Sequence, residues 1–234
     1  MSIQFDKVQP KNKAQLKSLI EYAFNHNIYD LNFIDTSKIK DMSKLFMSCE
    51  YDFDVSSWDV SNVTNMSQMF YFCANFNCDL SGWDVSNVKN MRQIFYGCIS
   101  LNTDLSNWDV SNVTTTFRMF VGCKKFNSDL SNWNMVNVKT TRYMFSGCES
   151  FEGKGLENWD VSNVKDMHSM FAFCNKFDCD LSNWDVSNVT CMYFMFGRCK
   201  QFNCDLSHWN TSKIKNMKCM FKGCNRLTIP NWYK

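Results

Sequence analysis

Residues 79–102 read DLSGWDVSNVKNMRQIFYGCISLN, and the fold turns on how this stretch is read. The stretch recurs. Trp stands at 58, 83, 108, 133, 159, 184 and 209, in steps of 25 residues with a single step of 26. Cys keeps the same rhythm at 49, 73, 98, 123, 148, 174, 199 and 224. Two residue types sharing one period identify a repeat architecture. An earlier, degenerate unit places Ile34 where Trp would stand, and Ile229 to Trp232 start one more.

Each unit divides by its apolar spacing. In Leu80, Trp83, Val85 and Val88 the Trp-x-Val step has period two, which predicts a short strand. Met91, Ile94, Phe95, Cys98 and Leu101 follow at i, i+3, i+4, i+7 and i+10, which predicts one face of a short helix. The position just before reads Asp41, Asn65, Asn90, Thr115, Thr140, Asp166, Cys191 and Asn216, nearly all helix N-cap types. One unit buries too little to offset the entropy of ordering it, so neighbouring units must stack. Residues 11–24, KNKAQLKSLIEYAF, place Leu16, Leu19, Ile20 and Ala23 on one helical face. The expected fold is therefore an α/β repeat solenoid, leucine-rich-repeat-like, of about eight strand–short-helix rungs with an N-terminal capping helix. Its expected divisions are a helical cap at 1–33, the rungs at 34–227 and a C-terminal cap strand at 228–234, where Pro230 discourages further pairing. The stretch 150–159, SFEGKGLENW, carries an extra residue and puts Gly155 at the usual Asp position, which predicts a local bulge.

The string DLSxWDVSNVxxMxxMFxxCxxFN resembles the repeat of the BspA-like leucine-rich-repeat class, abundant in mycoplasma-type surface lipoproteins. The resemblance runs from Ile34 to Leu227, and WDVSNV is intact at 58–63, 83–88, 108–113, 159–164 and 184–189. It implies adhesion or protein interaction and brings no catalytic residues with it. Surface members carry a secretion signal or a lipid-attachment Cys. The N-terminus here, MSIQFDKVQPKNKAQLKSL, has no basic region followed by an apolar one. The expected location is cytoplasmic, with the cell surface as the alternative if a leader was removed.

Composition narrows the function. The net charge is only +2, which gives nucleic-acid binding no support. No apolar run approaches the roughly 18–20 residues of a membrane span. Polar residues recur in every unit rather than standing once, and Gly-rich phosphate loops and zinc motifs are absent. His26, His168 and His208 share no unit position. An enzyme, a cofactor and a metal are not expected. The Cys column falls on the inward face and reads as free thiols, because packed helices lie about 8–10 Å apart and a disulfide needs Cα atoms within roughly 7 Å. Off that column, Cys78, Cys179 and Cys204 share a loop position, and a bridge between Cys179 and Cys204 stays open.

Two surfaces are candidates for binding. One is the outward side of the predicted helices, where residues vary from unit to unit: Tyr71, Phe72, Arg92, Tyr96, Phe117, Arg118, Arg142, Tyr143, Phe173, Tyr193, Phe194 and Arg198. Aromatic residues and Arg dominate interface hot spots. This convex face reads as a protein-binding surface, as packing between neighbouring helices, or as a self-association surface. The other candidate is the acidic column after Trp, Asp59, Asp84, Asp109, Asp160 and Asp185. A second Asp column opens each unit, as at Asp79, and either closes an Asx turn onto the Ser81-type N–H or awaits a cation or basic partner. The Ser-Asn pair, as at Ser86-Asn87, reads as a structural Asn ladder. The favoured function is a non-enzymatic scaffold for an unidentified protein partner, without nucleic acid or membrane insertion and with homo-oligomer formation open. The alternative is a BspA-like adhesin.

Overall fold

The computed structural model describes residues 7–234; residues 1–6 of the predicted cap lie outside them. One α-helix, α1, spans Lys13–Asn25. Asn12 caps it by accepting the Gln15 N–H at 3.0 Å. Leu16, Ile20 and Ala23 are buried and Leu19 is half-buried, as the apolar spacing predicts.

The rest of the chain corrects the predicted fold. Among the described residues there is no further α-helix, and β-pairing is confined to isolated parallel bridges. Strand–helix rungs are not formed. Instead, each unit is one coil made of successive turns, closed by hydrogen bonds from the last residue of a turn back to its first. Trp83 N–H donates to Leu80 O (3.1 Å), Val88 to Val85 (2.9 Å), Ile94 to Met91 (3.2 Å), Cys98 to Phe95 (3.0 Å) and Leu101 to Cys98 (3.2 Å). The apolar residues sit at the corners of these turns and point inward. Leu80, Trp83, Val85, Val88, Met91, Ile94, Phe95, Cys98 and Leu101 are all buried.

Left-handed residues exclude the helix. In the predicted helical half Gln93 has φ 55° and Gly97 φ 77°, and every coil has such a pair four residues apart. Positive φ at the third residue of a turn is the type II arrangement and is incompatible with a continuing α-helix. What sustains it is the next coil. Gln93, Phe95 and Gly97 donate to the carbonyls of Phe117, Met119 and Val121 at 3.0, 3.0 and 2.7 Å. Alternate N–H groups thus close turns, and the others bond one coil onward. The predicted N-cap position is where most of the isolated parallel bridges form, for example Asn65↔Asn90 and Asn90↔Thr115. Its side chain closes an Asx turn rather than capping a helix, as when Asn90 Oδ1 accepts the Arg92 N–H (3.1 Å).

Side-chain ladders lock the coils together. Phe70, Phe95, Phe120 and Phe145 stack with ring centroids 5.5–5.6 Å apart. Every Trp indole N–H reaches back about 28 residues to a buried carbonyl, as Trp83 to Val55 O (3.1 Å) and Trp108 to Leu80 O (3.0 Å). Asn87 Nδ2 donates to Ser61 O at 2.8 Å, and the same bond recurs at Asn112 and Asn188, bearing out the Asn ladder. At the end of the chain the predicted cap strand is a turn, Tyr233 N–H to Pro230 O (3.0 Å). Trp232 still completes the indole ladder, donating to Leu206 O at 2.8 Å.

The insertion is a short 3-10 turn, Leu156–Asn158. Gly155 is left-handed (φ 91°), and a Cβ on it would lie 2.2 Å from Ser131 N. No other residue fits there. The insertion also repairs a hydrogen bond. In neighbouring coils the Leu N–H of the DLS turn is satisfied by a side chain one coil on: Leu80 by Thr103 Oγ1 (3.2 Å), Leu105 by Ser128 Oγ (2.9 Å) and Leu181 by Cys204 Sγ (3.2 Å). Gly153 occupies that position with no side chain, and Leu130 N–H bonds to Lys154 O instead (3.1 Å).

Candidate functional site

The variable face is built by the two type II turns of each coil. Each coil has two left-handed residues here, the second of them Gly in several coils. The candidates separate into two groups. Tyr71, Tyr96, Phe117, Arg118, Arg142, Tyr143, Tyr193 and Phe194 are half-buried, whereas Phe72, Arg92, Phe173 and Arg198 are exposed.

The half-buried group packs against itself from coil to coil. Tyr71 and Tyr96 stack at 4.9 Å. Phe117 lies between the guanidinium groups of Arg92 (4.7 Å) and Arg118 (5.0 Å). Tyr143 takes Arg118 (5.0 Å) and Arg142 (5.4 Å), and its hydroxyl bonds to His168 Nε2 at 2.8 Å. His168 continues the row to Tyr193 at 4.9 Å. Cation–π contacts of this kind stabilise by about 0.5–1 kcal/mol each at exposed sites. His168 was not singled out from sequence, because a lone His at a variable position carries no periodic signal. Burial and the nearby Arg142 push its pKa below the ordinary value.

The exposed group joins the same row at its edge: Phe72 meets Tyr71 at 4.7 Å and Tyr96 at 5.2 Å, and Phe173 meets Phe194 at 5.7 Å. Phe72 (φ 58°, 50% exposed) and Phe173 (φ 64°, 45% exposed) occupy the left-handed position that Gly97, Gly122 and Gly147 fill in the three coils between them. A left-handed conformation costs a non-Gly residue roughly 1–2 kcal/mol. Both phenylalanines therefore carry backbone strain and leave a ring half in water. Arg198, at the same position one coil beyond Phe173, sits over its ring at 5.7 Å.

The acidic column is exposed at Asp59, Asp84, Asp109, Asp160 and Asp185, and each carboxylate accepts the N–H of the Ser two residues on at 2.9–3.0 Å. The second column closes the same turn, as Asp79 to Ser81 N–H (2.9 Å), so the Asx-turn reading is borne out. Serine donors hold Asp84, Asp160 and Asp185 below the usual carboxylate range. Lys154, in the insertion, pairs with Asp129 at 2.7 Å and, with Ser131, draws its pKa down to about 2. Among the described residues no group of three or more His, Cys, Asp or Glu is placed to hold a metal ion.

The thiols are free throughout. The inward column is buried from Cys73 to Cys224, while Cys49 is half-buried. The helix spacing invoked for it does not apply, because the described coils carry no α-helix at these positions. The column runs at the pitch of hydrogen-bonded chains, about 4.8 Å. What occupies each thiol is a carbonyl: Cys98 Sγ donates to Phe70 O and Cys123 Sγ to Phe95 O, both at 2.9 Å. Burial pushes both well above the ordinary thiol pKa. Cys179 and Cys204 are unbridged, and burial holds them up to about 12 and about 11. They are protonated hydrogen-bonding groups rather than nucleophiles.

Comparison with known families agrees with the repeat. The match, to the family described as Mycoplasma protein of unknown function, DUF285, covers residues 14–131, 79–155 and 142–233 in overlapping stretches. The chain belongs to the DUF285 family. The mycoplasma-type repeat read from the sequence is thereby shown; the BspA-like class is not part of the match. No curated protein and no solved structure matches the chain.

Proposed function

We propose that this DUF285 protein is a non-enzymatic scaffold that binds a protein partner through its aromatic–arginine face, in whatever compartment the full protein occupies. The observation that carries the reading is the pair Phe72 and Phe173. Each holds a large apolar ring half in water from a left-handed backbone, where Gly serves in the intervening coils. Folding asks for a left-handed residue at this position but not for an exposed apolar ring, and a binding partner that buries the rings offsets that exposure. The half-buried ladder between them, Tyr96 to Tyr143, stiffens the surface on which the rings stand.

The test is a comparison of baits. Wild type and the Phe72→Gly/Phe173→Gly double variant are used to capture partners from cells of the source. The variant keeps its fold, because Gly suits both positions, and is expected to lose partners that wild type retains. Identical captured sets would sink the reading. A BspA-like adhesin is the alternative, supported by the mycoplasma-type repeat. It requires the same two rings to mediate attachment to a host surface, so the double variant would then lose cell adhesion rather than an intracellular partner.

A further inference from the structure

The net charge of +2 hides a segregation that appears once the chain is wound into coils. Each coil has two arcs: one like 101–113, through the Asp turns to the second Val, and one like 114–125, through the type II turns. From Asp52 to Arg226, the arcs of the second kind carry fifteen Lys and Arg against two acids, Glu149 and Asp166. Both acids are already paired, with Lys124 at 3.1 Å and Arg142 at 3.7 Å. The arcs of the first kind carry fifteen Asp and Glu against two bases, Lys154 and Lys213, of which Lys154 is paired with Asp129. Stacking keeps the arcs aligned. The backbone bonds Thr114 to Lys89, Lys139 to Thr114 and Lys165 to Lys139 run straight along one edge of the basic side. The acidic side is aligned by Cys78 Sγ to Asp54 (3.3 Å) and Ser128 Oγ to Asp104 (3.3 Å).

Like charges one coil apart repel along each column. Among the described residues the acidic side finds local relief at Lys154, beside Asp129, and at Lys213, near Asp185. We infer that the acidic side of one copy docks on the basic side of a second copy, coil against coil. A second copy fits because both charge columns share one pitch, so the match extends over the whole length of the stack rather than at a single point. The near-zero net charge removes the long-range repulsion that keeps strongly charged proteins apart. The two sides are different surfaces of one chain. The contact is therefore heterologous: each docked copy leaves one acidic and one basic side free, and growth is open-ended unless a ring closes.

Sedimentation velocity of the full chain tests this at about 10 mM salt, where charges act over roughly 30 Å, and at about 1 M, where they act over roughly 3 Å. The expected result is mass that grows with protein concentration at low salt and an association at least about tenfold weaker at high salt. The variant Lys89→Glu/Lys139→Glu/Lys165→Glu changes three exposed side chains whose backbone bonds are unaffected. It is expected to be monomeric alone, yet to shorten wild-type assemblies when mixed in, because its acidic side still docks. A monomer at low salt overturns the inference, as does association indifferent to salt or a symmetric dimer that stops at two. So does a basic side that takes phosphatidylserine vesicles or a single-stranded oligonucleotide while the chain stays monomeric. Phe72 and Phe173 are untouched in every arm, so this result and the bait comparison fail separately.

Discussion

Two glycines probe the backbone from opposite sides. Gly82 has no positive φ, and a Cβ there would meet nothing within 4 Å. Gly82→Ala is expected to stabilise by about 0.4–1 kcal/mol through the unfolded chain. Gly155→Ala meets Ser131 backbone at 2.2 Å from a left-handed residue, and is expected to destabilise by several kcal/mol, at least about 3. Urea titration of both variants checks the opposite signs; equal shifts would contradict the turn geometry. Trp108 shows what the repeated Trp contributes beyond apolar bulk. Its indole N–H satisfies Leu80 O inside the core, and Trp108 is 1% exposed. Trp108→Phe leaves that carbonyl unpaired and opens a small void, for an expected loss of about 2–4 kcal/mol by the same measurement.

The element is the coil, and its defining property is that half of its backbone donors in the variable segment bond to the next coil. The Cys ladder belongs to this scale. From Cys73 onward each thiol of the column is held by a carbonyl of the preceding coil, and burial keeps Cys98, Cys123 and Cys148 from ionising. Thiol-specific labelling of the native protein at neutral pH is expected to spare these three, and denaturant to expose all thirteen Cys. Rapid native labelling of Cys123 would show that the coils part far more readily than their hydrogen bonding implies. The sequence made the inward set legible at this scale, since every residue from Leu80 to Leu101 with apolar spacing is buried. It did not reveal what the spacing meant. Residues at i, i+3, i+4 and i+7 mark one face of an α-helix, and they equally mark the corners of consecutive four-residue turns.

At the scale of the whole molecule, acid should weaken the stack in two windows. The folded pKa of His168 is lowered by burial and by Arg142, so between that pKa and the ordinary 6.5 the unfolded chain binds more protons. Stability contributed by neutral His168 is therefore present above pH 6.5 and falls as the pH drops through that window. The turn-closing aspartates, Asp79, Asp84, Asp104 and Asp129 among them, are also lowered. Their contribution is complete above the ordinary carboxylate range and is lost below about pH 4 as they protonate. Denaturant midpoints measured from pH 7 to pH 3 are expected to fall in both windows, and His168→Gln to remove the upper one alone. Because the backbone bonds between coils join each coil to its neighbour, deleting one whole unit, residues 90–114, should leave a folded, cooperative and less stable protein. Circular dichroism and a denaturant slope reduced roughly in proportion to length check this.

The sequence by itself determined the period, the α1 helix, the inward set, the Asn ladder and the Asx turns, because each depends on residue type at a fixed spacing. Tertiary structure alone decided that the units are coils of turns rather than strands and helices. The Gln93 N–H could have bonded four residues back in a helix; it bonds instead to Phe117, 24 residues ahead, which requires the next coil to be in place. The same winding gathers scattered charges into an acidic and a basic side. It also leaves Phe72 and Phe173 left-handed and about half exposed, although each touches a neighbouring ring of the row.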